Sequence, residues 1–515
     1  MKSKGVNRKG FTLLEILLVI AAIGILAAIV IVAINPQRQL ALVRNTERSS
    51  DINSLGSALD QYLIDNGGYP GGISNTYQEV CVNGEPAGEC VDLDGALVPS
   101  YLARIPADPN GGGYQVAINP ENGRVSLRAE QGELDQDLVV NPFVEISFAT
   151  GEIDETFTVG TGFNNHVLTT AIQSDEKVIV GGRFTTYQGV SANRIIRLND
   201  DGSRDTSFDI GSGFSHTGLF STIIDVIKIQ NDGSILVGGA FASYQGIVAN
   251  NLIRLNSDGS RDLSFNLGNG INSRVHTINI QSDGKILVGG VFSSYQEQAA
   301  NRIVRLNSDG TRDTSFNEGS GFTVPGFYGV SDIQIQSDGK IIVVGNFSAY
   351  DGNSVNRIIR LNSDGSRDTS FDIGLGLNSR ARTTAIQSDG RLIVGGGFTS
   401  YQGVSANRIV RVNGDGSRDT SFNIGVGFDS EVVPTAIQSD GKVVVGGWFS
   451  SYQGVSANGM VRLSSDGSRD ASFDIGSGFN GLVQTIAVQS DGKVIVGGSF
   501  TTYQDQASNR LIRLQ

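Results

Sequence analysis

Two hydrophobic patterns divide the chain. From Phe11 to Ile34 the residues are apolar, and Glu15 is the only charge among them. Those 24 residues would make a helix of about 36 Å, enough to cross a bilayer core of about 30 Å. The ten residues before them carry Lys2, Lys4, Arg8 and Lys9, so the N-terminus is expected to stay cytoplasmic and the remainder to be exported. Beyond Asn35-Pro36, where proline should kink or locally open the helix, Ile52, Leu55, Leu59, Tyr62 and Leu63 recur at helical spacing. Asn66-Gly67-Gly68 should end that helix, and Val116–Ile118 with Arg124–Leu127 reads as a hairpin. From Asp154 onward the pattern changes to short Val- and Ile-rich runs punctuated by Asp-Gly, the signature of hairpin strands.

The second pattern is periodic. Val-Gly-Gly-x-Phe or a close variant places its Phe at 184, 241, 292, 347, 398, 449 and 500. Four of the six spacings are 51 residues, and the others are 57 and 55. Each unit opens with Asp-x-x-Phe, from Asp154–Phe157 to Asp470–Phe473. Four strands per 51 residues, seven times over, predict a seven-bladed β-propeller, with a solenoid as the alternative. A solenoid needs atypical capping repeats, whereas the first unit here is ordinary. The last unit stops at Gln515 without its final strand, and Asp154–Phe157 is the spare strand that would complete it. Strand alternation places both Asp-containing turns of each unit on one face, and the Phe-x-x-Tyr loops and blade crossovers on the other. The chain would then enter the ring on the Asp-turn face.

Gly10-Phe11-Thr12-Leu13-Leu14-Glu15 resembles the type IV prepilin leader. The resemblance implies a prepilin peptidase that cuts between Gly10 and Phe11 and methylates the new N-terminus. It also implies that Glu15, costly at about 2–3 kcal/mol inside the apolar zone, pairs with the N-terminal amine of a neighbouring subunit during assembly. The alternative is an uncleaved signal anchor. Tyr62-Leu63 with Asn66-Gly67-Gly68-Tyr69-Pro70, then Leu97–Leu102 and Ile105–Pro109, resemble major pseudopilins of type II secretion. The repeats resemble delta-60 repeats, taken to form propeller blades. The expected class is therefore mainly β: a long transmembrane α-helix with a small α+β pilin-like domain, then a seven-bladed propeller. The expected boundaries are 1–10 for the leader, 11–34 for the transmembrane and assembly helix, 35–131 for the pilin-like domain, 132–153 for a linker and 154–515 for the propeller.

Candidate chemistry is sparse. Cys81 and Cys90 lie in the exported part, where a disulfide is the natural reading and free thiols or a metal pair are the alternatives. Asp92, Asp94 and Asp108 invite calcium, and ordinary turn chemistry competes with it. No cofactor is called for otherwise. His166, His216 and His276 fall in crossover regions of separate blades and in no catalytic motif, so no enzyme is expected. One Arg per unit, from Arg197 to Arg513, reads as structural, paired with Asp or with carbonyls; the repeated Tyr187-type residues read as packing. The formal charge of −13, which loss of the four basic leader residues takes to −17, argues against nucleic acid.

Two units are longer between Gly-Phe and the first strand. One carries Leu219 and Phe220, the other Pro325, Phe327 and Tyr328. These residues are candidates for a ligand site, against the plainer reading that they cap the channel. The function expected is a minor or tip type IV pilin-like subunit, seated by one pass in the cytoplasmic membrane with its bulk outside. Its partners would be other pilin or pseudopilin subunits and an unknown surface, glycan or protein ligand. The alternative is a pseudopilin of a type II secretion-like system that uses the propeller for cargo or envelope contact.

Overall fold

The computed structural model describes residues 36–66, 68–74, 76–81, 90–102, 104–109, 113–118, 125–129, 139–140, 150–216, 222–326 and 328–515. Gly10, Phe11, Glu15 and the 11–34 segment lie outside the described residues, as do Leu219, Phe220 and Phe327. Among the described residues no helix is long and apolar enough to cross a membrane. The chain divides into two compact units, 1–145 and 146–515, a division that falls inside the 132–153 segment.

In the first unit, helix α1 (Pro36–Asn66) packs on an antiparallel sheet of β1 (Gln78–Glu79), β2 (Tyr114–Ile118), β3 (Val125–Ala129) and β4 (Val139–Val140), in that order. Ile52, Leu55 and Leu59 recur on one face of α1 and bury against Val116, Val125 and Leu127. The hairpin is longer than expected, running in register from Tyr114↔Ala129 to Ile118↔Val125. Cys81 and Cys90 form a disulfide, beside a parallel bridge between Val80 and Val91.

The second unit is mainly β, with propeller-like repeats throughout. Each repeat holds a three-stranded antiparallel sheet, in the first case Val167–Ile172, Val178–Gly182 and Ile195–Leu198. The first strands touch in succession around the ring, and that of the seventh repeat touches that of the first. The ring is closed, which excludes the solenoid.

The Gly-Gly of six of the seven middle strands is explained by close approach; the fourth carries Val344-Gly345 instead. A Cβ on Gly181 would stand 2.8 Å from Ile224 and Ile227 of the next repeat, and one on Gly182 would stand 2.2 Å from the His166 carbonyl oxygen. The first glycine receives the neighbouring sheet, and the second lets the inner strand bulge.

Two expectations need correction. The fourth strand is reduced to a single bridge, such as Leu198↔Arg204. The Asp205 carboxylate accepts from the Ser207 N–H and hydroxyl at 2.9 and 2.6 Å, and this Asx turn ends the strand as it begins. The Tyr loop does not stay on the far face either. It forms a hairpin, Thr186–Tyr187 with Val190–Ser191, bridged to Phe163, and the Tyr187 hydroxyl donates to the Gly202 carbonyl at 2.6 Å. The hairpin therefore spans the outer edge of the sheet back to the second Asp-Gly turn.

Ring closure uses the N-terminal segment. Ile153 bridges Leu514, the Asp154 N–H donates to the Arg513 carbonyl at 2.9 Å, and the Gln515 N–H donates to the Glu152 carbonyl at 2.8 Å. Gly151 takes the place that Gly202 holds in the first repeat, its carbonyl accepting from the Tyr503 hydroxyl at 2.5 Å. The chain thus enters the ring at the Asp-turn end.

Candidate functional site

The repeated charges make a framework. Arg197 donates from Nε to Asp205 Oδ2 at 2.8 Å and from Nη2 to the Ser207 hydroxyl at 3.1 Å. Its Nη1 reaches the Ser257 carbonyl of the next repeat at 2.5 Å, and its guanidinium lies over the Phe208 ring at 4.9 Å. Asp-x-x-Phe is therefore an arginine clamp, with the aspartate gripping the edge of the guanidinium and the phenylalanine its face. In the first repeat Lys177, from the Asp175-Glu176 turn, adds a second cation 3.3 Å from Asp205. Burial would raise the Asp205 carboxyl, but hydrogen bonds from Ser207 and Arg197 outweigh it and hold it well below the usual carboxylate range. These arginines join neighbouring sheets and are not a ligand ring. The Tyr187-type residues, buried with bonded hydroxyls, are not free stacking platforms.

At the other end of the ring, where the inner strands begin, a cavity of about 430 Å³ opens. Every inner strand is irregular near its start: the pairing skips a residue, as it skips Leu168 between Val167↔Gly182 and Thr169↔Gly181, and in the sixth repeat it skips both Val433 and Pro434. The seven equivalent residues are Leu168, Asp225, His276, Ser331, Arg382, Val433 and Gln484, and all of them line the cavity. A bulge re-aims its side chain, and here the bulges aim one from each sheet at the channel. Arg183 and Trp448, both at the x of Gly-Gly-x-Phe, complete the wall with Arg274, Arg380, Tyr328 and Leu482.

Four guanidiniums face two carboxylates at this mouth. Arg274 holds Asp225 through Nε–Oδ2 and Nη2–Oδ1 contacts, both 2.5 Å. Arg380 holds Glu431 bidentately at 2.7 and 2.7 Å, and Arg382 shares the same carboxylate at 3.1 and 3.4 Å. Burial opposes ionisation of Glu431, yet the hydrogen bonds from Arg380 and Arg382 keep it below its ordinary value. Arg380 also stacks over Tyr328 at 4.8 Å. Arg183 makes no ion pair among the described residues, and its Nε is buried without a partner; so is Gln484 Oε1. Burial, above all, lowers the pKa of His276; Asp225 acts the other way and Arg274 adds to the lowering. The neutral ring donates from Nδ1 to the Val330 carbonyl at 3.1 Å, leaving Nε2 as an acceptor.

Of the loop residues named from sequence, Tyr328 is described in the wall, 48 % exposed, and Pro325 nearby accepts a hydrogen bond from Asn346 at its carbonyl. His276 sits within an inner strand, Val275–Ile280, and not in a crossover. Asp108 is buried and bound by Arg48 at 2.6 and 3.1 Å, so its carboxylate already has a cation. Asp92 accepts the Asp94 N–H at 3.0 Å, an ordinary turn contact. Among the described residues no cluster of three or more His, Cys, Asp or Glu could hold a metal.

Sequence reasoning missed the bulge residues and Trp448. A signal was present: where the seven repeats agree on Asp, Phe, Arg and Tyr, they disagree at three positions around the inner strand. The residue before the strand's first Val-type position is His166, Ile223, Arg274, Gly329, Arg380, Glu431 or Leu482. The bulge residue and the x of Gly-Gly-x-Phe vary as widely.

Three sets of comparisons bear on identity. The family described as "Domain of unknown function (DUF5122) beta-propeller" matches 173–208, 230–265, 281–316, 336–371, 387–422, 438–473 and 489–515. A prokaryotic N-terminal methylation motif matches residues 6–31. Among solved structures, the WD40 beta propeller domain of Doa1 aligns over 71% of this chain and 97% of its own, at 16% identity and a TM-score of 0.42, too loose a likeness to carry an argument. The type II secretion system core protein G of Pectobacterium carotovorum subsp. carotovorum is 34% identical over 24% of this chain and 75% of its own. That of Escherichia coli (strain K12) is 37% identical over 24% of this chain and 79% of its own. The chain is a pilin-like subunit fused to a propeller, and through its N-terminal quarter it belongs to the family of type II secretion system core protein G.

Proposed function

We propose that the protein is a minor or tip subunit of a pilin-like filament that displays a seven-bladed β-propeller as a binding head outside the cytoplasm. In this reading prepilin peptidase cuts between Gly10 and Phe11. The 11–34 segment seats the subunit in the cytoplasmic membrane, and Glu15 guides its assembly with other pilin or pseudopilin subunits. The propeller then meets a surface, glycan or protein and carries no catalytic role. One observation supports the head most: the divergent bulge residue of every repeat, joined by Arg274, Arg380, Leu482, Arg183 and Trp448 from the other two divergent positions, lines the channel mouth, at the end of the ring opposite to where the chain enters. Divergence within an otherwise repetitive scaffold is what a recognition surface requires.

The second reading is a pseudopilin of a type II secretion-like system, with the propeller contacting cargo or the envelope. The likeness to core protein G favours it. Full-length protein in detergent, probed on glycan and protein arrays beside a chain ending at residue 145, tests the binding head. Retention by the full chain alone is expected. Equal signals from both chains, or none from either, would remove the propeller from ligand binding. Co-purification with other pilins, or instead with secretion machinery, separates the two readings.

A further inference from the structure

We propose that the channel mouth binds a carboxylate-bearing sugar, that is, a uronate unit of an acidic glycan. This rests on the reading of the propeller as a binding head. The chain is acidic overall, with a formal charge of −13, yet its mouth gathers Arg183, Arg274, Arg380 and Arg382 against only Asp225 and Glu431. Three of the four arginines are occupied by those carboxylates, and the fourth is not. Arg183 offers a guanidinium with no acidic partner among the described residues, and its buried Nε lacks any acceptor. An isolated guanidinium on a low-dielectric wall favours a bidentate oxyanion.

The ligand must also bring hydroxyl groups and a ring face. Gln484, from the sheet adjacent to that of Arg183, lines the same cavity and carries a buried, unpartnered Oε1, an acceptor that needs a donor such as a sugar hydroxyl. The free acceptor of neutral His276 and the Ser331 hydroxyl extend that set. Trp448 is the only tryptophan in the chain and is 60 % exposed in the wall. Its electron-rich face suits the polarised C–H groups on one side of a pyranose. A cavity of about 430 Å³ is the size of a small-molecule site and holds one or two sugar units. A bare phosphate would use Arg183 but leave Trp448 and Gln484 without a role, and an acidic peptide lacks the hydroxyl-bearing ring.

Because Trp448 is the sole tryptophan, its emission reports directly on the mouth. Full-length protein in detergent is titrated with oligogalacturonate, with the same oligosaccharide reduced at its carboxyls, with inorganic phosphate and with a poly-glutamate peptide. The expected result is saturable change with oligogalacturonate, weakened at least tenfold by carboxyl reduction and by Arg183→Met. Calorimetry on Trp448→Ala, which is silent in fluorescence, should show a loss of at least tenfold as well. Circular dichroism of both variants should match the parent. Equal response to the reduced sugar, to phosphate or to the peptide overturns the uronate assignment. Unchanged affinity in both variants places the site elsewhere. If the arrays show a ligand while oligogalacturonate gives no response, this inference fails and the binding-head reading stands; if the arrays are also blank, both fail.

Discussion

Arg513, two residues from the end of the chain, donates to Asp154, 359 residues earlier, at 2.7 Å, and both side chains are 1 % exposed. The pair repeats across the seam what Arg197 and Asp205 do within a repeat, with Lys493 3.2 Å from the same carboxylate and Phe157 4.9 Å under the guanidinium. Removing one partner of a buried ion pair costs about 3–5 kcal/mol, because the other charge is left uncompensated. Asp154→Ala should therefore lower the unfolding free energy of the propeller by that order, and with it the denaturation midpoint, and deletion of 154–157 should do so more severely. Shortening the chain at 134–138 should leave the midpoint unchanged. Equal losses from the two deletions would mean that the ring does not close here.

Acid should open the ring at every clamp. Asp154, Asp205, Asp262, Asp313, Asp368, Asp419 and Asp470 all lie below their ordinary value, burial being overcome by Ser or Thr and by Arg or Lys hydrogen bonds. A carboxyl depressed in the folded state stabilises fully above its unfolded pKa of about 3.9, and that stability is lost as pH falls below it. Urea midpoints should not fall between about pH 7 and 5, where release of the Asp332 penalty acts in the stabilising direction, and should drop steeply below about 4. A gradual decline beginning near pH 6 would contradict this.

Asp332 has the opposite sign. It lies in the fourth inner strand, and burial raises it to about 6 despite the Thr384 and Ile333 N–H groups, Gln334 and the charge of Lys228. A carboxyl raised in the folded state destabilises as pH rises through its folded pKa. Asp332→Asn should be more stable than the parent at pH 7.5 by on the order of 1–2 kcal/mol, and this advantage should vanish near pH 4. Calorimetric scans at the two pH values check it.

Processing gives a fourth test. Gly10→Leu should leave the leader attached, so intact mass should begin at Met1 instead of at a methylated Phe11. Glu15→Ala should be cleaved and inserted but absent from filaments. Its normal incorporation would remove the charge-pairing role of Glu15.

Much of the fold was legible because hydrophobic period and turn chemistry are local. The Val-Gly-Gly strands, the Asp-Gly turns and the spare Asp154–Phe157 segment all mark the closed ring without reference to distant contacts. The fourth strand misled because the recurring Asp-x-x-Phe reads as a strand opening, whereas Asp is poor in strands and the hydrogen bonds Asp205 accepts from Ser207 close an Asx turn. Tyr187 misled because a loop's point of departure does not say where its side chain ends. The mouth was hidden for a different reason: bulges come from pairing geometry, and Leu168, His276 and Gln484 share no chemistry that a motif could capture. Their unlikeness across repeats was the readable clue.

Residues 150–154 also have a mechanical meaning. They connect the propeller to whatever precedes it and are at the same time the last edge of the ring. Any tension carried along that connection arrives first at the seam, where Gln515 and Arg513 hold Glu152 and Asp154. The other six junctions are shielded by continuous chain. Under force, the lifetime of the attached head is set by the rate at which this one seam lets go. The clamp at Arg513 and Asp154 is therefore the fuse of the assembly, and its strength sets the pull the subunit can bear.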